Sequence, residues 1–308
     1  MLFRSIWSPL PTSYNPMLYD IRLELSYLYD APVHGARHLV RVAPATGPGA
    51  QRVIASSLFI EPRPDKERTY TDFFGNSATS IYVGAPHESL SVRLSARVLV
   101  DNRAPALDLS PPVTDLREQV AGYWSVEGDS PHHFLAASPR VQHSLAISAY
   151  AAGATAHAVT SMAACMALCA AIHRDFVYDA KATDVGTTPD EAFSLRRGVC
   201  QDFAHVMIAG LRGIGVPAGY VSGFLRTKPP PGKARLEGAD AMHAWVRAWC
   251  GQQLGWVEFD PTNAIIAGRD HISIAHGRDY SDVSPIVGVL RTRGSHETTQ
   301  SVDVIPIE

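Results

Sequence analysis

The sequence predicts an α+β protein in which an N-terminal antiparallel β domain is followed by a second domain of helices and strands. At 308 residues, the chain is longer than one small hydrophobic core usually supports, which favours two domains. Up to Asp101 the sequence consists largely of short segments that alternate apolar and polar residues, the period of a strand with one buried face. Helical periodicity replaces this pattern in the second half, and strand-like alternation returns near Tyr220.

Turn-forming residues bound the predicted strands of the first half. Residues 21–25 and 90–98 alternate apolar and polar side chains, and the proline- and glycine-rich residues 43–49 separate such segments. These patterns predict a β domain over residues 18–110. Residues 1–17 fit no element and are predicted to be a flexible extension.

The second domain is predicted over residues 111–290, and residues 291–308 are predicted to be a C-terminal tail. A connecting segment rich in proline and polar residues opens this half. The predicted elements are helices over residues 156–174, Pro189–Leu195 and Cys200–Gly213, then strands over residues 220–225, 242–249 and Trp256–Asp260. Helices followed by an antiparallel sheet give an α+β fold.

Composition and charge exclude several classes of protein. The net charge of −3 offers no basic excess for a phosphate backbone, so nucleic acid is not an expected partner. The sequence contains no apolar run of the kind found in membrane spans or signal peptides, which predicts a cytoplasmic protein without membrane contact. Disulfides are not expected in such a protein, and Cys165 and Cys169, in an apolar helical segment, are predicted to be buried.

Cys200 is the cysteine whose position favours chemistry. It follows Gly198 and would occupy the first turn of its helix, where unpaired backbone N–H groups and the helix dipole favour a thiolate. The backbone N–H of Cys200 is therefore also a candidate oxyanion donor. Position alone fits an inert cysteine equally well, so the assignment depends on partners. His205, farther along the same helix, is predicted to pack against the sheet.

A predicted hairpin supplies these partners. His243 lies on the first strand, and a four-residue loop leads to the second strand, which ends at Asp260. If Trp249 pairs with Leu254, His243 lies opposite Asp260, and the carboxylate can orient the imidazole while its other nitrogen faces the thiol. Two alternatives remain: a packed histidine with a carboxylate partner, or a register with a longer loop that separates the pair.

Three blocks of the chain resemble the signature segments of the transglutaminase-like superfamily. They are G-V-C-Q-D-F-A at residues 198–204, M-H-A-W-V at residues 242–246 and W-V-E-F-D-P-T-N at residues 256–263. Residues 213–223 and 276–283 are similar to segments of bacterial members. The N-terminal half resembles the β domain that precedes the core of those members, so the resemblance covers most of the chain.

The resemblance implies a papain-like, transglutaminase-like core with a triad formed by Cys200, His243 and Asp260. It implies a thiol-dependent hydrolase or acyltransferase that attacks peptide or glutamine-type amide bonds of a peptide or protein substrate through an acyl-thioester. This chemistry requires neither a cofactor nor a metal ion. Water is the expected acyl acceptor. The alternatives are a protein-glutamine transamidase and a non-catalytic binding protein on the same fold.

Three further side chains are candidates for contact with the oxyanion or the substrate: Tyr178, Gln201 and Trp245. Packing on the sheet suits Trp245 better than substrate contact, although an aromatic tunnel for an amine acceptor could include Trp245, Trp249 and Trp256. Residues 226–240 form a long, proline-rich connection that is predicted to border the cleft and to leave it open to water.

Overall fold

The computed structural model describes residues 16–46, 51–101, 104–227, 238, 240–291 and 293–307. Over these residues the chain forms two large antiparallel sheets, a short parallel pair of strands and a group of helices. The strands are β1 (Met17–Val40), β2 (Gln51–Glu61), β3 (Lys66–Thr71), β4 (Ser77–Val83), β5 (His87–Val100), β6 (Val177–Tyr178), β7 (Arg197–Gly198), β8 (Ala218–Leu225), β9 (Ala241–Trp249), β10 (Trp256–Asp260), β11 (Ile265–Ile266), β12 (His271–Gly277), β13 (Ile286–Arg291) and β14 (His296–Ile307). The helices are α1 (Val113–Ala121), α2 (Leu145–Thr155), α3 (Ser161–Asp175), α4 (Pro189–Leu195), α5 (Cys200–Gly213) and α6 (Tyr280–Val283), with a 3-10 turn at Pro131–Phe134.

The first sheet is built around β1, a strand of 24 residues. Its order is β2-β5-β1-β4-β3, and β13 and β14 also pair with β1. The buried residues Tyr19, Ile21, Leu23 and Leu25 alternate with more exposed ones, because successive side chains of a strand point to opposite faces. The alternation in the sequence therefore identifies the buried face of this sheet correctly.

The C-terminal residues add a strand to the first sheet. β14 pairs antiparallel with β1 from Leu18 to Tyr29 and buries Val302 and Val304. The prediction of a tail over residues 291–308 is wrong here, since most of these residues form a strand. The strand escapes prediction because most of it is polar and its partner lies at the opposite end of the chain. No local pattern reveals a pairing between such distant segments.

The second sheet has the order β11-β10-β9-β8-β12, and α5 packs against β9 and β8. A Cβ atom at Gly210 of α5 would lie 3.0 Å from Cβ of Ala151 and 3.1 Å from Cδ2 of Leu168, so α5 approaches α2 and α3 closely at this point. This packing fixes the direction of α5 and with it the position of its first residue, Cys200.

The predicted α+β fold class is confirmed by this arrangement. Helices Pro189–Leu195 and Cys200–Gly213 have the predicted bounds. The helix predicted over residues 156–174 corresponds to α3, whereas α1 and α2 lie where no helix is predicted. Small residues dominate α2, whose sequence is L-A-I-S-A-Y-A-A-G-A-T, so it lacks the apolar stripe that identifies most surface helices.

Two side-chain amides join the first sheet to β12. Gln51 accepts a hydrogen bond from the N–H of Ser273 at 2.9 Å and donates to its carbonyl at 2.8 Å. Asn76 accepts from the N–H of His276 at 2.8 Å and donates to its carbonyl, also at 2.8 Å. Each amide therefore satisfies both backbone groups of one β12 residue, as a neighbouring strand would.

Two predicted segments fall largely outside the described residues. Of the predicted flexible extension, residues 1–15 lie outside them, whereas Met17 begins β1. Of the predicted connection over residues 226–240, residues 228–237 and 239 also lie outside them. Among the described helices, none combines the length and the apolar character needed to cross a membrane.

Candidate active site

Cys200 is the first residue of α5, and its side chain is half-buried. The preceding residue, Val199, is extended, and its backbone N–H donates to Oδ2 of Asp202 at 2.8 Å. Thr183 donates to the same oxygen at 2.7 Å. Burial raises the pKa of Asp202, and these two hydrogen bonds oppose the rise. Asp202 thus caps the helix that presents Cys200.

A glycine is required just before this helix. Gly198 pairs with Tyr178 in the short parallel ladder of β6 and β7, and its φ is +155°. A Cβ atom at this position would lie 2.5 Å from Oδ2 of Asp202. Because that carboxylate caps α5, a side chain at position 198 would displace the cap and the cysteine beside it.

His243, on β9, lies between Asp260 and Cys200. Its Nε2 is 2.9 Å from Oδ2 of Asp260, and the thiol of Cys200 lies near enough to the ring to interact with it electrostatically. Because Nε2 bonds the carboxylate, Nδ1 is the ring nitrogen left for the thiol. Burial would lower the pKa of His243, but its interactions with Asp260 and Cys200 raise it to about 10. The charged form of the imidazole is therefore favoured in this position.

Asp260 is fully buried and accepts hydrogen bonds on both oxygens. Oδ1 accepts from the backbone N–H groups of Thr262 at 2.9 Å and Asn263 at 3.2 Å. Oδ2 accepts from Nδ2 of Asn263 at 2.6 Å and lies 2.9 Å from His243 and 3.0 Å from His271. Burial alone would raise the pKa of Asp260, yet the bonds from His243, His271 and Asn263 hold it well below its usual range. The buried group is therefore a carboxylate.

The loop between β9 and β10 is longer than predicted. Trp249 pairs with Trp256, so the predicted pairing of Trp249 with Leu254 is wrong by two residues. Gly251 and Gly255, with φ of +88° and +65°, let the loop turn back on itself, and the N–H of Gly255 bonds the carbonyl of Gly251 at 2.8 Å. Because the shift is an even number of residues, every side chain stays on its predicted face, and the histidine still meets the aspartate.

Sequence analysis does not single out His271, the second histidine on Asp260. It is the first residue of β12, at the edge of the sheet, and β8 and β9 separate that strand from β10. A Cβ atom at Gly223 of β8 would lie 2.2 Å from Cη2 of Trp245, so the missing side chain makes room for this indole. The indole in turn packs edge-on against the His271 ring at 5.1 Å. No local motif indicates a contact that depends on this three-dimensional arrangement.

The three additional candidates occupy different environments. Tyr178 is 58% exposed and pairs with Gly198, two residues before Cys200, in the short parallel ladder. Burial is the main cause that raises its pKa. Gln201 is half-buried and donates to the carbonyl of Val185 at 3.4 Å. Trp245 is fully buried, and its Nε1 donates to Glu258 at 2.8 Å. Trp245 therefore packs against His243 and His271 in the interior and offers no surface for substrate contact.

The other three cysteines and His205 lie in the protein interior. Cys165 and Cys169 are buried, as predicted, and so is Cys250. His205 is 2% exposed and packs against Tyr220 of β8 at 5.1 Å, which confirms its predicted place against the sheet. None of these buried side chains can meet a substrate.

Three side chains of the described residues could together hold a metal ion: His243, Asp260 and His271, whose ligand atoms lie within 4.8 Å of one another. In this arrangement both imidazole Nε2 atoms hydrogen-bond Asp260. A metal ion would have to replace both hydrogen bonds, because a nitrogen that donates its proton has no lone pair for a metal. The observed contacts therefore suit a hydrogen-bonded triad better than a metal centre.

The chain matches known families over both of its halves. Residues 19–99 match the Bacterial transglutaminase-like N-terminal region, and residues 148–261 match the Transglutaminase-like superfamily. An uncharacterized protein of Mycobacterium tuberculosis is 36% identical over 262 residues, which cover 84% of this chain and 83% of that protein. This chain belongs to the transglutaminase-like superfamily. The resemblance stated from the three sequence blocks is thereby confirmed.

Two further proteins and one solved structure are also similar to this chain. An uncharacterized protein of Mycobacterium leprae is 30% identical over 283 residues, which cover 90% of this chain and 95% of that protein. A Pseudomonas aeruginosa protein named protein-glutamine gamma-glutamyltransferase is 35% identical over 100 residues, 32% of this chain and 15% of its own. The crystal structure of a "putative cysteine protease" from Cytophaga hutchinsonii has the same fold, with a TM-score of 0.72, 21% identity and coverage of 96% and 92%.

Proposed function

We propose that this protein is a thiol-dependent hydrolase of peptide or other amide bonds. Cys200 is the nucleophile, His243 is the general acid and base, and Asp260 orients His243. The observation that carries the proposal is the hydrogen bond of His243 with Asp260, on a ring that also interacts with Cys200 at the start of α5. Membership of the transglutaminase-like superfamily supports it.

In the first half-reaction the sulfur of Cys200 attacks the carbonyl carbon of the amide. His243 takes the proton of the thiol as the sulfur attacks, and the start of the helix favours the negative charge on the sulfur. The oxyanion forms at the start of α5, where the backbone N–H of Cys200 and the helix dipole stabilise negative charge. His243 gives its proton to the departing amine, the C–N bond breaks, and an acyl-thioester remains.

In the second half-reaction the acyl group leaves the enzyme. His243 takes a proton from water, the resulting hydroxide attacks the thioester, and the C–S bond breaks to release a carboxylic acid and the thiolate. Asp260 keeps its proton state throughout, because its hydrogen-bond donors hold its pKa well below the usual range. Its function is to fix the ring of His243, with Nε2 on the carboxylate and Nδ1 toward the sulfur.

Water is the acyl acceptor in this proposal. An amine at millimolar concentration competes with water at about 55 M only if a dedicated site binds and orients the amine. Trp245 and Trp249, two of the three residues considered for an aromatic tunnel, are 0% and 2% exposed, so they do not line an open passage. One observation favours transamidation instead: the identity of 35% over 100 residues with the Pseudomonas protein-glutamine gamma-glutamyltransferase.

The test supplies a reactive acyl donor, such as a peptide ester or a glutamine-containing peptide, together with a labelled primary amine at millimolar concentration. Intact-mass spectrometry follows the acyl-enzyme, and both the hydrolysed and the amine-linked products are quantified. The hydrolase proposal predicts a transient acyl adduct on Cys200, mostly hydrolysed product, and no adduct or product with Cys200→Ala. Cys250→Ala, which changes a buried cysteine away from His243, is the control and retains the adduct.

Two results contradict the proposal in different ways. Dominant incorporation of the amine, abolished by Cys200→Ala, identifies a transamidase with the same nucleophile. Failure to form an adduct with donors of every class, while the folded protein still binds a peptide, identifies a non-catalytic binding protein.

A further inference from the structure

The carboxylate of Asp260 holds two histidines at one oxygen. Oδ2 is 2.9 Å from Nε2 of His243 and 3.0 Å from Nε2 of His271. His243 also contacts the cysteine, whereas His271 is 2% exposed and contacts neither the sulfur nor the solvent in any described contact. His271 is therefore placed to act on the carboxylate and not on a substrate.

Hydrogen bonding fixes the tautomer of His271. The backbone N–H of Gly268 donates to its Nδ1 at 3.3 Å, so Nδ1 is an acceptor. In a neutral ring the proton is then on Nε2, which donates to Asp260. The Nε2–H group of His271 therefore donates to Oδ2 from the side of the sheet. This bond helps to keep Oδ2 in the position in which it also bonds His243. The remaining donors to Asp260 come from the turn that follows it, Thr262 and Asn263.

The first sheet holds the chain on both sides of His271. On one side, the hydroxyl of Tyr19 in β1 donates to Oδ1 of Asp270 at 3.1 Å. On the other side, Gln51 of β2 bonds the N–H of Ser273 at 2.9 Å and its carbonyl at 2.8 Å. Both contacts lie within two residues of His271 and come from the N-terminal β domain. Tyr19 and Gln51 are both buried, so little water competes for these hydrogen bonds.

We propose that His271 is a positioning residue of the triad and that the N-terminal β domain sets its place through Tyr19 and Gln51. The β domain then contributes to catalysis through β12, His271 and Asp260, without contact with the reacting atoms. The inference rests on the proposed thiol chemistry. It extends that proposal by assigning a function to the N-terminal domain and to a histidine outside the three signature blocks.

The first experiment compares two substitutions of His271. His271→Leu removes the donor, whereas His271→Gln retains an N–H donor of similar reach. We expect His271→Leu to lower kcat by about 10- to 100-fold, the loss that one hydrogen bond to a charged group produces, with KM changed less than about twofold. We expect His271→Gln to recover most of kcat. A residue needed only for packing would not show this order, since leucine fills the buried space at least as well as glutamine.

A spectroscopic measurement separates positioning from folding. Protons shared between an imidazole and a buried carboxylate resonate far downfield in ¹H NMR spectra. We expect two such resonances in the wild type, from the rings of His243 and His271 on Asp260. His271→Leu should remove one and shift the other, and His271→Gln should restore the position of the His243 resonance. This readout needs no substrate.

The second experiment tests the contribution of the β domain. Gln51→Leu removes the contacts to Ser273 of β12, and Tyr19→Phe removes the bond to Asp270, just before that strand. Each keeps most of the side-chain volume, and we expect each to lower kcat by about 3- to 10-fold. Thr69→Val is the control, because it removes a side-chain hydrogen bond to Thr79 inside the same sheet, away from β12. We expect wild-type kcat and unaltered downfield resonances for Thr69→Val.

The outcomes distinguish this inference from the proposed function. If wild-type protein forms the acyl-enzyme and folded His271→Leu turns over at the wild-type rate, the positioning role is wrong and the thiol chemistry stands. If Gln51→Leu and Thr69→Val lower kcat equally, the β domain stabilises the fold without setting the triad. If the wild type forms no acyl-enzyme but His271→Leu still shifts the downfield resonance, the geometry is as inferred and the proposed function fails.

Discussion

His243 and Asp260 bond at 2.9 Å although they are not direct partners in the β9–β10 ladder. The last pair of that ladder is Val246 with Phe259, which makes Asp260 a diagonal neighbour of His243. Diagonal positions are about 7–8 Å apart, so the contact depends on both side chains leaning toward each other. The backbone N–H groups of Thr262 and Asn263 hold the carboxylate in the required orientation.

Asp260→Asn should keep the fold and lower turnover. The amide oxygen is expected to take the place of Oδ1, which accepts two backbone N–H groups, so the NH₂ group faces His243 and His271. His243 must then present a bare Nε2 and carry its proton on Nδ1, the wrong tautomer for accepting a proton from sulfur. We expect kcat to fall by about 10⁴-fold, as for the analogous change in a serine protease triad.

The measurement for Asp260→Asn is single-turnover acylation alongside circular dichroism of the same preparation. A native spectrum with unchanged acylation would remove Asp260 from the mechanism. A loss of the native spectrum would call for the smaller change Asn263→Ala, which removes one donor to the carboxylate and should reduce kcat less.

Cys200 should react first of the four cysteines with a small alkylating agent near neutral pH. It is half-buried at a helix start beside His243, whereas the other three are buried. A hydrogen bond with Cys250 and burial raise the pKa of Cys165, and burial raises the pKa of Cys169 to about 12, so neither is a thiolate at neutral pH. Peptide mapping after brief iodoacetamide treatment measures the order. Earlier labelling of Cys165 or Cys169 would show that the nucleophile is misassigned.

The parts of the site that follow from local sequence were predictable. The glycine before Cys200 and the apolar helix after it define α5 to the residue, and alternation along residues 242–249 defines the face that carries His243. These features depend on backbone conformation and on burial of nearby residues, which neighbouring sequence controls. They sufficed to bring the cysteine, the histidine and the aspartate together as a hypothesis.

The parts that depend on distant pairing were not predictable. The loop between Trp249 and Trp256 contains two glycines in the left-handed region, and sequence does not say which turn they make. The contact of His271 with Asp260 requires β12 to lie beside β8, and the strand at residues 296–307 is defined by β1 at the other end of the chain. Such contacts have no signature in a local window.

Gly198→Ala should destabilise the protein and slow alkylation of Cys200. The added Cβ would lie 2.5 Å from Oδ2 of Asp202, and φ of +155° is strained for any residue with a side chain. We expect a loss of about 1–3 kcal/mol in the free energy of unfolding, measured in urea. The control is Gly153→Ala, in α2, where nothing lies within 4 Å of the new methyl group. A helix-interior alanine should be neutral or stabilising by up to about 1 kcal/mol. Equal effects of both substitutions would contradict the assigned cap.

Protonation of His205 should destabilise the fold at acidic pH. This ring is buried in α5, and its Nε2 accepts a hydrogen bond from the backbone N–H of Tyr280 at 3.2 Å, so charging it removes an acceptor. Burial, with smaller contributions from Arg140 and Arg212, lowers the pKa of His205 to about 4, although Asp279 opposes the change. In the unfolded chain the pKa of His205 is near its usual value of 6.5. Between that pH and pH 4, the unfolded chain therefore binds a proton that the folded chain does not bind. The stabilisation is complete above pH 6.5, falls as the pH decreases, and is lost near pH 4. A shift of this size corresponds to about 3 kcal/mol over that window.

Urea titrations at several pH values measure this change in stability. The reference is His205→Gln, which keeps an acceptor for the N–H of Tyr280 but does not titrate. We expect the wild type to lose more stability than His205→Gln between pH 6.5 and pH 4. Parallel curves for the two proteins would mean that His205 takes up its proton inside the fold as easily as in the unfolded chain.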